Sequence, residues 1–167
     1  ADHFPSVTPD GKWVFYTNSI HEQPTVWKVP AEGGEPIQVT SHISFSPTVS
    51  PDGKWVAMFI VVPKDLVYKL AYLPITGGDP VKIFNVTPSD IPVVRWSADS
   101  RMLTYVDTKQ GVSNIWGQPI DGSPAKQLTE FKSDRIFRFA WSPDGKALVC
   151  ERGFYVNDVV LMSDFLL

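Results

Sequence analysis

The sequence has one cysteine, three histidines and no long apolar run, and each shortage removes a class of function. A lone Cys150 excludes an intrachain disulfide and a cysteine-based zinc site; its alternating apolar setting reads as a small core side chain. His3, His21 and His42 show no ligand spacing, so surface imidazoles are expected rather than a metal centre, and no cofactor is expected. No stretch approaches the roughly 18–20 apolar residues of a spanning helix, so direct membrane insertion is not expected. Lys and Arg total 15 against 18 Asp and Glu, with no basic stripe, and nucleic-acid binding lacks its electrostatic footprint. No Gly-x-Ser-x-Gly elbow, phosphate-cradling glycine loop or His-Glu-x-x-His motif occurs, so the chain reads as a non-enzyme.

What the chain does have is repetition. Thr8-Pro9-Asp10-Gly11-Lys12, Ser50-Pro51-Asp52-Gly53-Lys54, Ser97-Ala98-Asp99-Ser100-Arg101 and Ser142-Pro143-Asp144-Gly145-Lys146 are four versions of one turn. Asp10, Asp52, Asp99 and Asp144 recur at intervals of 42, 47 and 45 residues. A period of about 40–50 residues built from short strands is the signature of β-propeller blades. Aromatic residues at 13%, with six Trp, suit sheets packed face to face. Within the turn, Ser or Thr can bond nearby backbone N–H groups, Pro presets φ, and Gly takes a positive φ. Ala98 and Ser100 replace Pro and Gly in the third repeat, so that hairpin is expected to be less preorganised. The four aspartates are therefore read as structural turn residues in separate blades, not as a carboxylate set.

The third repeat shows the plan of a blade. Strands are expected over 93–96, 102–106, 113–118 and 125–129, with Asp121-Gly122 as the last hairpin turn. Second strands in the other repeats fall on 13–16, 55–59 and 147–150, and third strands on 26–29, 70–73 and 159–162. Outer strands fall on 36–40 and 81–84. The expectation is an all-β chain forming one propeller region of about four four-stranded blades, the last incomplete. Blade bounds are approximately 1–42, 43–87, 88–131 and 132–167.

An aromatic-Ser-Pro-Asp-Gly-Lys turn, an apolar strand, a polar loop, Ile/Val-Trp, Gly-Gly and Leu-Thr succeed one another. This pattern resembles the TolB-like family of WD-type propeller repeats over essentially the whole chain. Trp141-Ser142-Pro143-Asp144-Gly145-Lys146 and Asn114-Ile115-Trp116 are close matches. The closing segment 139–165 is similar to the carboxyl end of propellers appended to bacterial Ser/Thr kinases and winged-helix regulators. That resemblance implies a sensor or interaction module at the C-terminal end of a larger signalling protein. Propellers also form the lid of prolyl-oligopeptidase-type serine peptidases, which implies a second role beside an absent catalytic domain. A third is structural: repeat four ends after its third strand, and an open four-blade arc is expected to present apolar end faces and strand edges. Two copies meeting through those ends would form an eight-bladed ring with two-fold symmetry.

Candidate binding residues lie between the repeated turns. Arg95 and Arg138 on innermost strands are candidates for a positive channel mouth suited to a carboxylate or acidic peptide. In the connectors, Tyr68, Phe154 and Tyr155 are candidate anchors for a protein or peptide partner. The chain opens on repeat material at Ala1, so a piece of a longer protein is expected. No targeting signal stands in this segment, and periplasmic and cytoplasmic settings both stay open.

Overall fold

A computed structural model of the chain describes residues 5–19, 23–64, 66–87 and 93–155. The strand expected over 159–162, together with His3 and His21, lies outside these described residues. The described residues contain strands and no helix, arranged as successive antiparallel meanders. Blade 1 is β1 (Ser6–Val7), β2 (Trp13–Asn18), β3 (Thr25–Pro30) and β4 (Ile37–Gln38). Blade 2 is β5 (Ser44–Val49), β6 (Trp55–Val62), β7 (Val67–Pro74) and β8 (Lys82–Ile83). Blade 3 is β9 (Val94–Trp96), β10 (Met102–Lys109), β11 (Val112–Pro119) and β12 (Lys126–Gln127). Of blade 4, β13 (Arg135–Trp141) and β14 (Leu148–Gly153) are described. Each full sheet keeps its strands in chain order, so every blade is a simple meander.

The strands follow the sequence pattern, with two departures. Outer strands are shorter than expected: β4, β8 and β12 each pair through only two residues. The central hairpins are longer. Strands β10 and β11 pair through Lys109↔Val112, leaving Gln110 and Gly111 as a two-residue turn, both at positive φ (52° and 81°). A turn with two positive φ values has the twist that continues an antiparallel pair, so the polar connector is absorbed into the sheet. Likewise β7 begins at Val67, and Tyr68 pairs with Val61 within the ladder. Tyr68 is thus a strand residue, not the loop residue expected.

The core consists of the layers between blades. On β6, Val56, Met58 and Ile60 join one cluster with Phe15 and Val26 of blade 1. Ala57 and Phe59, the alternate residues, join another with Trp96, Leu103 and Tyr105 of blade 3. Side chains alternate across a strand, so a strand sandwiched on both faces reads as continuously apolar. A third layer holds Val106 and Ile115 of blade 3 against Ile136 and Phe139 of blade 4. Burial of each large side chain in these layers stabilises by roughly 1.5–3 kcal/mol before conformational entropy is counted.

Hydrogen bonds cross the layers as well. Trp96 Nε1–H donates to Thr48 O (2.9 Å), and Trp141 Nε1–H donates to Thr104 Oγ1 (3.1 Å). Lys28 Nζ donates to Ile75 O and Thr76 O of the next blade, and Lys82 Nζ to Asp121 O. Gly77 sits where a Cβ would come within 2.6 Å of Val39 O, so blade 2 approaches blade 1 through bare backbone.

Candidate functional site

The four repeated turns are built alike, and their bonds explain the carboxylates. In each, the Ser or Thr hydroxyl donates to Asp Oδ1 at 2.6 Å. The same Oδ1 accepts the N–H two residues on, from Lys12, Lys54, Arg101 and Lys146, at 3.0–3.1 Å. The hydroxyl in turn accepts the N–H five residues on, from Trp13, Trp55, Met102 and Ala147. Hydroxyl donation, then the backbone N–H, holds the carboxyls of Asp10, Asp99 and Asp144 below the ordinary aspartate range. A carboxylate committed in this way closes a hairpin and is not poised to move protons.

Ser100 is where the third turn departs from its siblings. It holds φ at 59°, in the left-handed region that glycine takes in the other three turns. Its buried hydroxyl accepts the Asp52 N–H from the turn of blade 2 at 3.0 Å. The substitution that looked like weaker preorganisation is a cross-blade link. Nothing local in the sequence signals it, because donor and acceptor lie 48 residues apart.

The candidate binding residues fall in three places. Arg95 on β9 is partly buried, its Nη1 donating to Val94 O at 2.9 Å, and burial pulls its pKa below the usual guanidinium value. Arg138 on β13 is exposed, with Nε 3.9 Å from Glu151 Oε2 on the paired strand. The two arginines stand at different registers, one residue before Trp96 and three before Trp141. Tyr68 packs edge-on against Phe45, ring centroids 4.7 Å apart, and keeps part of its surface open. Phe154 and Tyr155 follow β14 and are 73% and 64% exposed, the pair of large aromatics most open to solvent among the described residues.

Tyr155 is positioned from two sides. Its ring meets Phe137 of β13 at 5.0 Å between centroids, and the Arg135 guanidinium lies 5.9 Å from the ring centre. Gly153 leaves room for this arrangement, since a Cβ there would sit 3.3 Å from Phe137 Cε2. Arg135 and Phe137 were absent from the candidate residues expected from sequence. Their signal was available as a basic and an aromatic residue opening the innermost strand of repeat four. The resulting surface is two exposed aromatics with the Arg135 guanidinium at the Tyr155 ring, while Arg138 lies further along β13 beside Glu151.

Other candidates resolve into ordinary chemistry. Cys150 packs against the third core layer, and burial pushes its thiol pKa up, away from reactivity. His42 Nε2 lies 3.7 Å from Asp79 Oδ1. Among the described residues, no group of three His, Cys, Asp or Glu side chains stands close enough to hold a metal ion. No helix of the described residues is long and apolar enough to cross a membrane.

The fold defines the class: an all-β chain of propeller blades, similar in structure to TolB propellers. No family model matches the chain. A curated relative, tricorn protease homolog 1 of Streptomyces coelicolor, is 31% identical over 77 residues, 45% of this chain and 7% of that protein. Among solved structures, a putative TolB from Agrobacterium tumefaciens superposes with a TM-score of 0.75 at 22% identity, over 88% of this chain and 52% of that one. The β-propeller domain of the trilobed protease from Pyrococcus furiosus gives 0.56 at 18% identity, over 80% and 44%. The chain thus spans about half of each of these two solved chains and a small part of the tricorn homologue.

Proposed function

We propose that this chain is a non-catalytic, partner-binding module whose recognition surface is the rim formed by Phe154, Tyr155 and Arg138. Arg95 and Tyr68 are subsidiary candidates on neighbouring blades. The observation that carries the reading is the pair Phe154-Tyr155, exposed while Tyr155 is held by Phe137 and Arg135. A large aromatic kept open yet fixed in place binds with little loss of side-chain freedom, which is the property of an interface anchor. The flanking arginines favour an acidic peptide with an aromatic or aliphatic residue. The resemblance of segment 139–165 to propellers of bacterial kinases and transcriptional regulators supports a module of this kind within a signalling protein. Titration of fluorescent acidic peptides with and without an aromatic anchor tests this. Phe154→Ser with Tyr155→Ser is expected to weaken binding about tenfold or more; binding indifferent to both changes would refute the site.

A second reading has one observation in its favour. The likeness to a tricorn protease homologue fits a propeller that accompanies a peptidase domain. The adjoining coding sequence of the parent protein separates the two, because a hydrolase domain there supports the lid role. Turnover of peptide or ester substrates by the isolated chain would overturn the non-catalytic reading altogether.

A further inference from the structure

The junction between blades 3 and 4 has smaller side chains at three places than the two junctions before it. Five residues after the turn's Ser or Thr, repeats one and two place Trp13 and Trp55, and repeat three places Met102. Where they have Pro9 and Pro51, it has Ala98. On the third strand, two residues before Pro30, Pro74 and Pro119, stand Lys28, Tyr72 and Gly117. The larger side chains fill the first two junctions. Lys28 Nζ lies 5.2 Å from the Trp13 ring centre and bonds the next blade at Ile75 O. Trp55 packs edge-on against Tyr72, which meets Trp96 of blade 3 in the same way. At the third junction Met102 lies over Gly117 instead, so closely that a Cβ there would overlap its Sδ.

The space left is a cleft of about 470 Å³, walled by Met102 and Pro119 of blade 3 and by Trp141 of blade 4. Trp141 is fixed by its N–H bond to Thr104 Oγ1 yet stays half-buried, whereas Trp96, its counterpart one blade earlier, is 5% exposed. Beside it the two turns touch, since a Cβ on Gly145 would sit 2.8 Å from Ala98 Cβ. That contact brings Asp99 and Asp144, the next residues to Ala98 and Gly145, onto one rim, with Arg101. Each carboxylate commits Oδ1 to its own turn. In the first two turns Oδ2 faces a lysine, Lys12 Nζ at 3.9 Å and Lys54 Nζ at 4.0 Å. Among the described residues, no lysine pairs in this way with Asp99 or Asp144, and both side chains belong to exposed residues.

We infer that this cleft binds an arginine side chain of a basic peptide. The guanidinium stacks on Trp141 and donates to the carboxylates of Asp99 and Asp144, and the aliphatic stem lies along Met102 and Pro119. An aromatic ring attracts a cation, and a planar guanidinium stacks on it while its N–H fork meets carboxylates. Two carboxylates against the one guanidinium of Arg101 leave the rim net negative, which favours a cation over an anion. A wholly apolar occupant would cover both carboxylates without offering them a partner. Both walls belong to adjoining blades within the series, so the cleft does not depend on what stands beyond blade 1 or blade 4. The inference goes beyond the partner-binding reading, because the cleft lies at the opposite end of β14 from Phe154 and Tyr155 and takes a cation.

NMR titration of the intact chain with an end-capped Gly-Arg-Gly peptide tests it, following the Trp141 indole N–H and the Gly145 amide. The same peptide with citrulline or lysine in place of arginine is titrated beside it. The arginine peptide is expected to shift both signals saturably, with a Kd on the order of 1 mM. Lysine should bind more weakly, and the uncharged citrulline should leave both signals in place. Met102→Trp restores the side chain of repeats one and two, so it should fill the cleft and abolish the shifts. Asp99→Asn with Asp144→Asn keeps the Oδ1 acceptor of each turn and should weaken binding about tenfold. An unchanged cooperative melt checks that each variant folds. An arginine peptide that shifts neither signal would overturn the inference, as would citrulline or lysine binding equally well. So would shifts that survive both the filled cleft and the neutralised rim. Phe154→Ser with Tyr155→Ser should leave these shifts unaltered, so the two readings fail separately.

Discussion

Blade 2 and blade 4 share a turn and a ladder geometry, yet they differ in almost everything that holds a blade in place. In β6, five consecutive residues from Val56 to Ile60 are buried, feeding the layers on both sides. In β14, Leu148 and Cys150 pack against blade 3, while Val149 and Glu151 face outward. The side chains already encode the difference: Phe59 and Ile60 in one strand correspond to Glu151 and Arg152 in the other. A blade is therefore stabilised by its neighbours more than by its own ladder.

The comparison is broken most forcefully by deleting matched apolar groups. Phe59→Ala is expected to destabilise the chain by about 3–5 kcal/mol, the cost of a large cavity between blades 2 and 3. Val149→Ala, on the exposed face of blade 4, should change the denaturant midpoint by no more than about 0.5 kcal/mol. Comparable losses at the two sites would overturn the contrast drawn between the two blades.

A smaller effect is expected from the repeated turn. Ser50 is wholly buried and Ser142 is not, although both hydroxyls make the same two bonds. Ser50→Ala strands the Trp55 N–H in a poorly solvated site and should cost about 1–3 kcal/mol. Ser142→Ala lets water replace the lost acceptor and should cost about 1 kcal/mol or less. Equal costs would show that burial does not set the value of the turn.

The smallest effect is electrostatic. The Asp144 carboxyl sits below its ordinary value because Ser142 and the Lys146 N–H bond its charged form. A carboxyl depressed in the folded state contributes stability that is complete above its unfolded value, near pH 4, and fades as pH falls toward the folded one. Amide exchange in β13 and β14 should therefore quicken slightly below about pH 4, and Asp144→Asn should remove that dependence. An unchanged acid response in the Asn variant would place its origin elsewhere.

Much of this was readable before any coordinates. The turn spacing counted the blades, and the apolar runs after each turn marked the second strands, which lie in β2, β6, β10 and β14. Tyr68 was misplaced because Val67 and Tyr68 extend a β-rich run, and only the paired strand shows the ladder continuing to Val62↔Val67. The bonds of Ser100 to Asp52 and of Trp96 to Thr48 were invisible because each joins residues 48 apart. For the candidate site, Phe154 and Tyr155 could be picked out as aromatic connector residues. Their support by Arg135 and Phe137 could not, since it depends on how β13 and β14 pair.

By itself, then, the sequence determined the class of fold, the number of turns and the order of strands within each blade. These follow from local rules: turn chemistry, period-two burial and the reach of a short hairpin. Which face of a strand meets which neighbour, which hydroxyl crosses to the next blade, and which valines stay exposed were decided by the tertiary structure. Those outcomes depend on contacts between whole repeats, where every repeat offers nearly the same surface and only its place in the series decides what covers it.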